Sequence, residues 1–354
     1  MQHYKILVVE DDPTQRELLN EVLSNSEESF EVILSTNGAH AIDILRHEAV
    51  DAVLLDKRMP FLDGDTVCRL VRTELQLTLL PIIMVTGTNS PEELACSFAA
   101  GATDFIRKPY SPIELIARLK SAVNNKRYTD RLDRSETLLF SLARMVEAKD
   151  ETTGNHCSRL AYMSMEFGQV LGLSDNELES LRRGGIVHDI GKLGIPDSIL
   201  LKKGPLNEEE WALMRTHTII GGHICEGLSS MRDVVPIILY HHERWDGSGY
   251  PYGLSGESIP LLARVFQIVD IYDALSSARP YKRALSKDHI IGIFEQETAI
   301  GWRDPALMEV FLEILRTDNE RLTTPHSTRT SIDEQVFEAI ASTGVIDWDR
   351  KELN

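Results

Sequence analysis

The chain has 354 residues, 42% of them hydrophobic, and a formal net charge of −18. That length exceeds one ordinary domain and predicts two. The acidic balance argues against general affinity for DNA or for an anionic membrane surface, and no apolar run approaches a membrane span. The opening MQHYKILVVEDD lacks the basic-then-apolar layout of a signal peptide. Cys68, Cys96, Cys157 and Cys225 are far apart without CxxC spacing, which predicts free thiols and a cytoplasmic location.

Residues 1 to about 120 alternate strand-like runs with amphipathic stretches. The runs are Lys5–Val9, Glu31–Ser35, Ala52–Leu55, Pro81–Val85 and Asp104–Ile106, with helix-like segments such as Thr14–Ser24, Ala39–Glu48 and Pro91–Ala100 between them. This alternation predicts an α/β, doubly wound, five-stranded parallel sheet with function at the carboxyl ends of its strands. Asp11 and Asp12 follow the first run, Asp56 ends the third, Thr86 the fourth, and Lys108 lies beyond the fifth. Three converging carboxylates suit Mg²⁺. The cation and Lys108 would neutralise a phosphoryl group on Asp56, and Thr86 would bond its oxygens.

These residues, in VVEDD (8–12), LLDKRMP (54–60), VTG (85–87) and DFIRKP (104–109), resemble the response-regulator receiver domain, a flavodoxin-like fold. The resemblance implies Asp56 as phosphoacceptor, Asp11 and Asp12 as Mg²⁺ ligands, and the Arg58 carbonyl as a further one. It implies Thr86, Lys108 and Phe105 as switch residues, a Lys108-Pro109 bond that is often cis, and a histidine kinase or phosphotransfer protein as partner.

Residues 121 to about 148 hold no Gly or Pro, and Tyr128, Leu132, Ser135, Leu139, Leu142 and Val146 follow heptad spacing. The pattern predicts a signalling helix over 123–149 that pairs two chains into a homodimer; the alternative is an amphipathic linker packed on a neighbouring domain.

From 150 to about 316 the chain reads as all-α. Amphipathic runs cover Ser158–Leu171, Asp175–Arg183, Asn207–His217, Val234–His242 and Leu261–Ser276, and a Gly-rich loop runs from Trp245 to Pro260. Six of the eleven histidines fall between His156 and His242. Two adjacent pairs stand out, His188-Asp189 and His241-His242, with Asp270 and Asp273 on one face of an apolar helix. Such a carboxylate is costly unless a cation pairs it. A mixed imidazole and carboxylate set suits a hydrolytic metal site rather than structural zinc. His223 has no motif around it and reads as a structural residue.

The segments HDIGK (188–192), IPDSIL (195–200), HHERWDGSGYP (241–251), GLSGESIPLLARV (253–265) and ALSSARPYK (274–282) resemble the HD-GYP family of cyclic di-GMP phosphodiesterases, a branch of the HD metal-dependent phosphohydrolases. The resemblance implies that His156, His188, Asp189 and Asp270 hold one divalent metal. Asp189 bridges to a second, held by His217, His241 and His242. Fe, Mn, Ni and Zn all accept this set. Such metals activate water and absorb charge on the phosphate, with His188, Asp189 and Lys192 at the catalytic centre. Tyr250 then shapes the substrate loop and Arg279 and Lys282 bind phosphate; Asp273 is counted with these substrate-facing residues.

Two positions depart from the family pattern. Thr152 stands where some members place a third-metal Glu, with Glu151 displaced by one residue, so two metals are expected. Arg303 stands where an aromatic usually packs, a change expected to loosen or re-aim the last turn. After 317 the chain turns polar, as in a flexible extension to 354, with one last helix expected over Glu334–Ala341. The reading is a receiver (1–122), a signalling helix (123–149) and an HD-GYP phosphodiesterase (150–316) regulated at Asp56. Its rivals are another dinucleotide as substrate and a cyclic di-GMP sensing or docking module.

Overall fold

Residues Ile6 to Val9 are buried on both faces, as in a central strand of a parallel sheet. A computed structural model describes residues 3–88, 90–149, 156–277, 284–317 and 319–322, and the chain divides into two units, Met1–Arg134 and Ser135–Asn354.

The first unit runs β1 (His3–Val9), α1 (Pro13–Ser24), β2 (Ser29–Ser35), α2 (Gly38–His47), β3 (Ala52–Asp56), α3 (Gly64–Thr73), β4 (Ile82–Thr86), α4 (Pro91–Ala99) and β5 (Asp104–Arg107), then enters α5 (Pro112–Lys149). All strand pairs are parallel, in the order β2-β1-β3-β4-β5. Side-chain alternation divides the sheet between two cores. Leu7, Val9, Val53, Leu55, Ile82 and Met84 pack with α2 and α3 residues, whereas Ile6, Val8, Leu54, Ile83 and Val85 pack with Leu19, Leu23, Leu115 and Leu119. The order reverses between β1 and β3, which opens a crevice at their carboxyl ends. The five expected strands and the three expected helices are present, and α3 was not singled out by periodicity.

The second unit is helical: α6 (His156–Val170), α7 (Asp175–Val187), α8 (Asp197–Leu200), α9 (Glu208–Arg215), α10 (His217–Glu226), α11 (Val235–Tyr240), α12 (Leu261–Ser276), α13 (Lys287–Ala299) and α14 (Pro305–Thr317). Phe167, Phe266, Phe294 and Phe311 fill its core without exposure. The expected helix Asn207–His217 is two helices. Asn207 and Glu210 form a capping box for α9, Thr216 ends it, and α10 begins at His217. A side chain at Gly191 would lie 1.8 Å from the His217 carbonyl, so glycine there lets the turn after His188-Asp189 press against α10.

Packing continues past residue 316. A 3₁₀ turn at Asn319–Leu322 buries Leu322, and Arg321 pairs with Glu166 at 3.0 Å. Glu334–Ala341 lies outside the described residues. The heptad positions of α5 do not share one environment. Leu139 and Val146, with Ala143, are buried among Val187, Ile190, Met231, Val234 and Ile238, while Tyr128, Leu132 and Leu142 are exposed. Among the described residues no helix is long and apolar enough to cross a membrane.

Two candidate metal centres

At the mouth of the sheet, Lys108 Nζ lies 2.6 Å from Asp56 Oδ1 and 2.7 Å from Glu10 Oε2. The Arg58 amide donates to Asp56 Oδ2 at 3.0 Å. Glu10, Asp11 and Asp56 each offer an oxygen within 4.8 Å of the others, a hard oxygen set suited to Mg²⁺. Asp12 is a correction. Its carboxylate accepts from the Thr14 and Gln15 amides and caps α1, with Pro13 in the first turn. Glu10, buried at the end of β1, stands in the cluster instead.

Burial pushes the Glu10 carboxyl up, against the pull of Lys108. Burial also disfavours the Lys108 ammonium, but Asp56 and Glu10 outweigh it and hold its pKa above the ordinary value. Thr86 is buried at the end of β4, its Oγ1 accepting from the Thr88 amide. Phe105 is half-buried, edge-on to Phe98 at 5.9 Å, with the Arg107 guanidinium over it. The Lys108-Pro109 bond is cis.

In the helical unit, the end of α7 carries His188 and Asp189, and the starts of α6 and α10 carry His156 and His217. The end of α11 leads into His241 and His242, and α12 supplies Asp270. Nitrogens and oxygens gather into two trios, His156–His188–Asp270 and His217–His241–His242. Asp189 lies between them, Oδ2 at 3.3 Å from His188 Nε2 and Oδ1 at 3.4 Å from His217 Nε2. The seven residues expected to hold metal are therefore brought together by the fold.

Four of the five imidazoles are fixed through Nδ1. Nδ1 of His188, His217 and His241 each faces a backbone carbonyl, of Gly185, Met214 and Ile238 respectively. His156 Nδ1 lies 2.6 Å from Asp273 Oδ2. That arrangement places the proton on Nδ1 and aims Nε2 at the centre. Nε2 of His217 and His241 is buried with no hydrogen-bond partner among the described residues. Two buried nitrogens without hydrogen bonds, that of His217 lying 3.4 Å from Asp189, fit a divalent cation. Burial, reinforced by neighbouring histidines, lowers the pKa of His241 to about 3 and pushes His242 well down. Both stay neutral, as a ligand must be.

Asp273 is a second correction. It is buried, bonds His156, and takes both Nε and Nη2 of Arg159 at 2.6 and 3.0 Å. Burial opposes its charge, but His156 and Arg159 outweigh burial and hold it well below the usual carboxylate range. It fixes the His156 ring, and both of its oxygens are taken by His156, Arg159 and Ser277 rather than turned to substrate. Lys192 Nζ reaches Asp189 Oδ2 at 2.9 Å. Tyr250 stacks 4.7 Å from His242, ring centre to ring centre. Arg279, Lys282, Glu151 and Thr152 lie outside the described residues.

Four supporting groups were not anticipated. Arg159 is the first. The buried Glu243 accepts the Tyr252 and Leu254 amides and so holds the loop that carries Tyr250. Gln267 Nε2 donates to the His241 and Glu243 carbonyls, and its Oε1 accepts from Arg303 at 2.8 Å. Arg303 also pairs with Glu297 at 2.8 Å. The Arg303 departure thus braces the histidine corner rather than loosening the turn. Glu147, near the end of α5, accepts the His156 and Cys157 amides at 2.7 and 3.2 Å.

A family model of the response regulator receiver domain matches residues 6–120, and one of the HD domain matches residues 141–307. A probable cyclic di-GMP phosphodiesterase of Vibrio cholerae serotype O1 is 32% identical over 87% of this chain and 77% of its own length. The cyclic di-GMP phosphodiesterase response regulator RpfG of Xanthomonas campestris pv. campestris is 34% identical over 80% of each. A 3'3'-cGAMP-specific phosphodiesterase of the same Vibrio is 37% identical over 52% of this chain and 35% of its own length. With a five-stranded receiver fold, a helical HD domain and relatives matched across most of both, the chain belongs to the receiver-linked HD-domain phosphodiesterases, metal-dependent phosphohydrolases built as response regulators.

Proposed function

We propose that the chain hydrolyses cyclic di-GMP to the linear dinucleotide pGpG at a binuclear centre controlled by phosphorylation of Asp56. The observation that carries this reading is the pair of trios joined by Asp189. Two divalent transition metals, Fe, Mn, Ni or Zn according to supply, would bind His156, His188 and Asp270 on one side and His217, His241 and His242 on the other. When bound they supply Lewis-acid stabilisation and a water of lowered pKa. Asp189 would hold both halves at a fixed spacing, and Lys192 would set a cation beside the phosphodiester. Asp273 keeps the His156 proton on Nδ1, and Glu243 keeps Tyr250 over His242. Arg279 and Lys282 are proposed phosphate contacts.

For control, Mg²⁺ would bind Glu10, Asp11, Asp56 and the Arg58 carbonyl, and a histidine kinase or phosphotransfer protein would supply the phosphoryl group. Thr86, Phe105 and Lys108 would respond to it. A tenfold change in turnover needs about 1.4 kcal/mol of differential stability. The signalling helix is proposed to pair with a second copy: Tyr128, Leu132, Leu138, Leu142 and Met145 leave an exposed apolar stripe at near-heptad spacing.

The test is cyclic di-GMP turnover by anaerobically purified protein with metal counted on the same sample, beside His188→Ala and Asp189→Ala. Turnover with about two metals per chain, lost in both variants, is expected. Bound metal without turnover of any cyclic dinucleotide would replace this reading with a sensing or docking module. The 37% identity to a 3'3'-cGAMP-specific enzyme supports a second substrate reading, which side-by-side turnover of the two dinucleotides decides.

A further inference from the structure

Beside the histidine corner lies a cavity of about 210 Å³, lined by His241, His242 and Asp270 and by Arg215, Arg244 and Arg303. In a chain of net charge −18, three guanidiniums around one small cavity concentrate positive charge there, against the single carboxylate of Asp270. They are not alike. Arg303 is buried and matched by Glu297. Arg215 and Arg244 have no carboxylate within ion-pair distance among the described residues. Each is seated on an aromatic ring instead: Arg215 is 5.4 Å from the centre of Tyr250, and Arg244 is 3.7 Å from that of Trp302. Arg244 also makes one long bond of 3.4 Å to Ser248. A guanidinium held over a ring is pre-oriented at little entropic cost, with its N–H edge available to fork an oxyanion. Tyr250 stacks on His242, so this cationic wall begins one ring away from the metal-binding nitrogens.

A cyclic dinucleotide carries two phosphodiesters, and one metal pair can act on only one of them at a time. We infer that Arg215 and Arg244 form a subsite for the phosphodiester that is not being cleaved; this rests on the substrate reading proposed above. Two unmatched cations call for an anion, whereas the neutral edge of a base would leave their charge uncompensated. Arg303 serves the same wall from beneath, by fixing Gln267 and through it the His241 carbonyl.

The test is competition against hydrolysis of bis(p-nitrophenyl) phosphate, a small diester that reports the metal centre. Inhibition constants for cyclic di-GMP are measured at several salt concentrations in wild type and in the Arg215→Ala, Arg244→Ala double variant. The constant is expected to rise about tenfold or more and to become less sensitive to salt, because the lost contact is ionic. Arg244→Lys keeps the charge but not the fork, and should lose less. Arg215 is exposed, so Arg215→Ala alone carries the test if uncovering Trp302 unfolds the double variant. An unchanged constant overturns the subsite, and so does a rise with unchanged salt dependence, which marks a contact to the neutral base. Hydrolysis of the small diester by a wild type that binds no cyclic di-GMP would instead overturn the substrate reading, and the subsite with it.

Discussion

The two centres solve the same problem, gathering buried charge around a cation, in opposite ways. The receiver cluster is all oxygen and carries its own counter-ion: Lys108 bridges Glu10 and Asp56. The HD cluster is rich in nitrogen, and four of its five imidazoles are committed on one side to carbonyls or Asp273, while Nε2 of His217 and His241 has no hydrogen bond among the described residues. A site whose charges are already offset tolerates exchange of a weakly held hard ion. A site with orphaned buried nitrogens is complete only with its metals. The comparison therefore separates an exchangeable Mg²⁺ in the receiver from resident divalent metals in the HD domain.

The largest effect should come from Asp189, the only carboxylate among the described residues that faces a histidine of each trio. Asp189→Ala is expected to lower phosphodiesterase turnover by roughly 10³-fold, about 4 kcal/mol of barrier, and to lower bound metal measured on the same sample. Chelation of wild type should mimic the variant and be reversed by added divalent metal. Activity that survives stripping would break the distinction between resident and transient ions.

The receiver responds the other way. Lys108→Ala leaves Glu10 and Asp56 buried without a cation, a defect worth about 3 kcal/mol. Thermal unfolding of the full chain without Mg²⁺ should begin earlier than in wild type, and Mg²⁺ should restore more in the variant than in wild type. Equal Mg²⁺ effects in the two proteins would show that Lys108 does not offset those charges. A smaller loss is expected from Asp273→Asn, which removes the charge that fixes His156. Metal affinity should fall by about 10–100-fold, read by titration with a chromogenic chelator, with secondary structure kept.

Residues that act through local spacing were legible in the sequence. Strand ends placed Asp56, Thr86 and Lys108, and two adjacent pairs marked His188-Asp189 and His241-His242. Residues that act by reaching across the chain were not. Asp11 and Asp12 looked equivalent in a run of three acids, yet Asp12 precedes Pro13, and an Asp before Pro at a helix start is itself a capping signal. That signal would have moved the metal role to Glu10. Asp273 was correctly placed on the face of Asp270. Its partner Arg159, three residues after His156, was the sign that its charge was already taken. Nothing in the spacing announced Glu243, Gln267 or Glu147, because each is defined by backbone groups that only the folded chain brings near.

Glu147 supplies the smallest and most diagnostic effect. Its carboxylate, on the helix that leads from the receiver, accepts two backbone amides at the start of α6, one of them that of His156, a proposed metal ligand. Loss of a capping acceptor costs about 1 kcal/mol, so Glu147→Ala should change basal turnover only about threefold to fivefold. Its informative readout is the ratio of turnover between phosphorylated and unphosphorylated protein. If α5 passes the receiver's state to the metal centre through this cap, the ratio moves toward one in Glu147→Ala. It is retained in Glu147→Gln, whose amide oxygen still accepts the bonds. A ratio equal to wild type in Glu147→Ala would leave the cap as packing alone. The coupling would then pass through Leu139, Ala143 and Val146, which α5 buries against the helices that carry His188 and lead to His241.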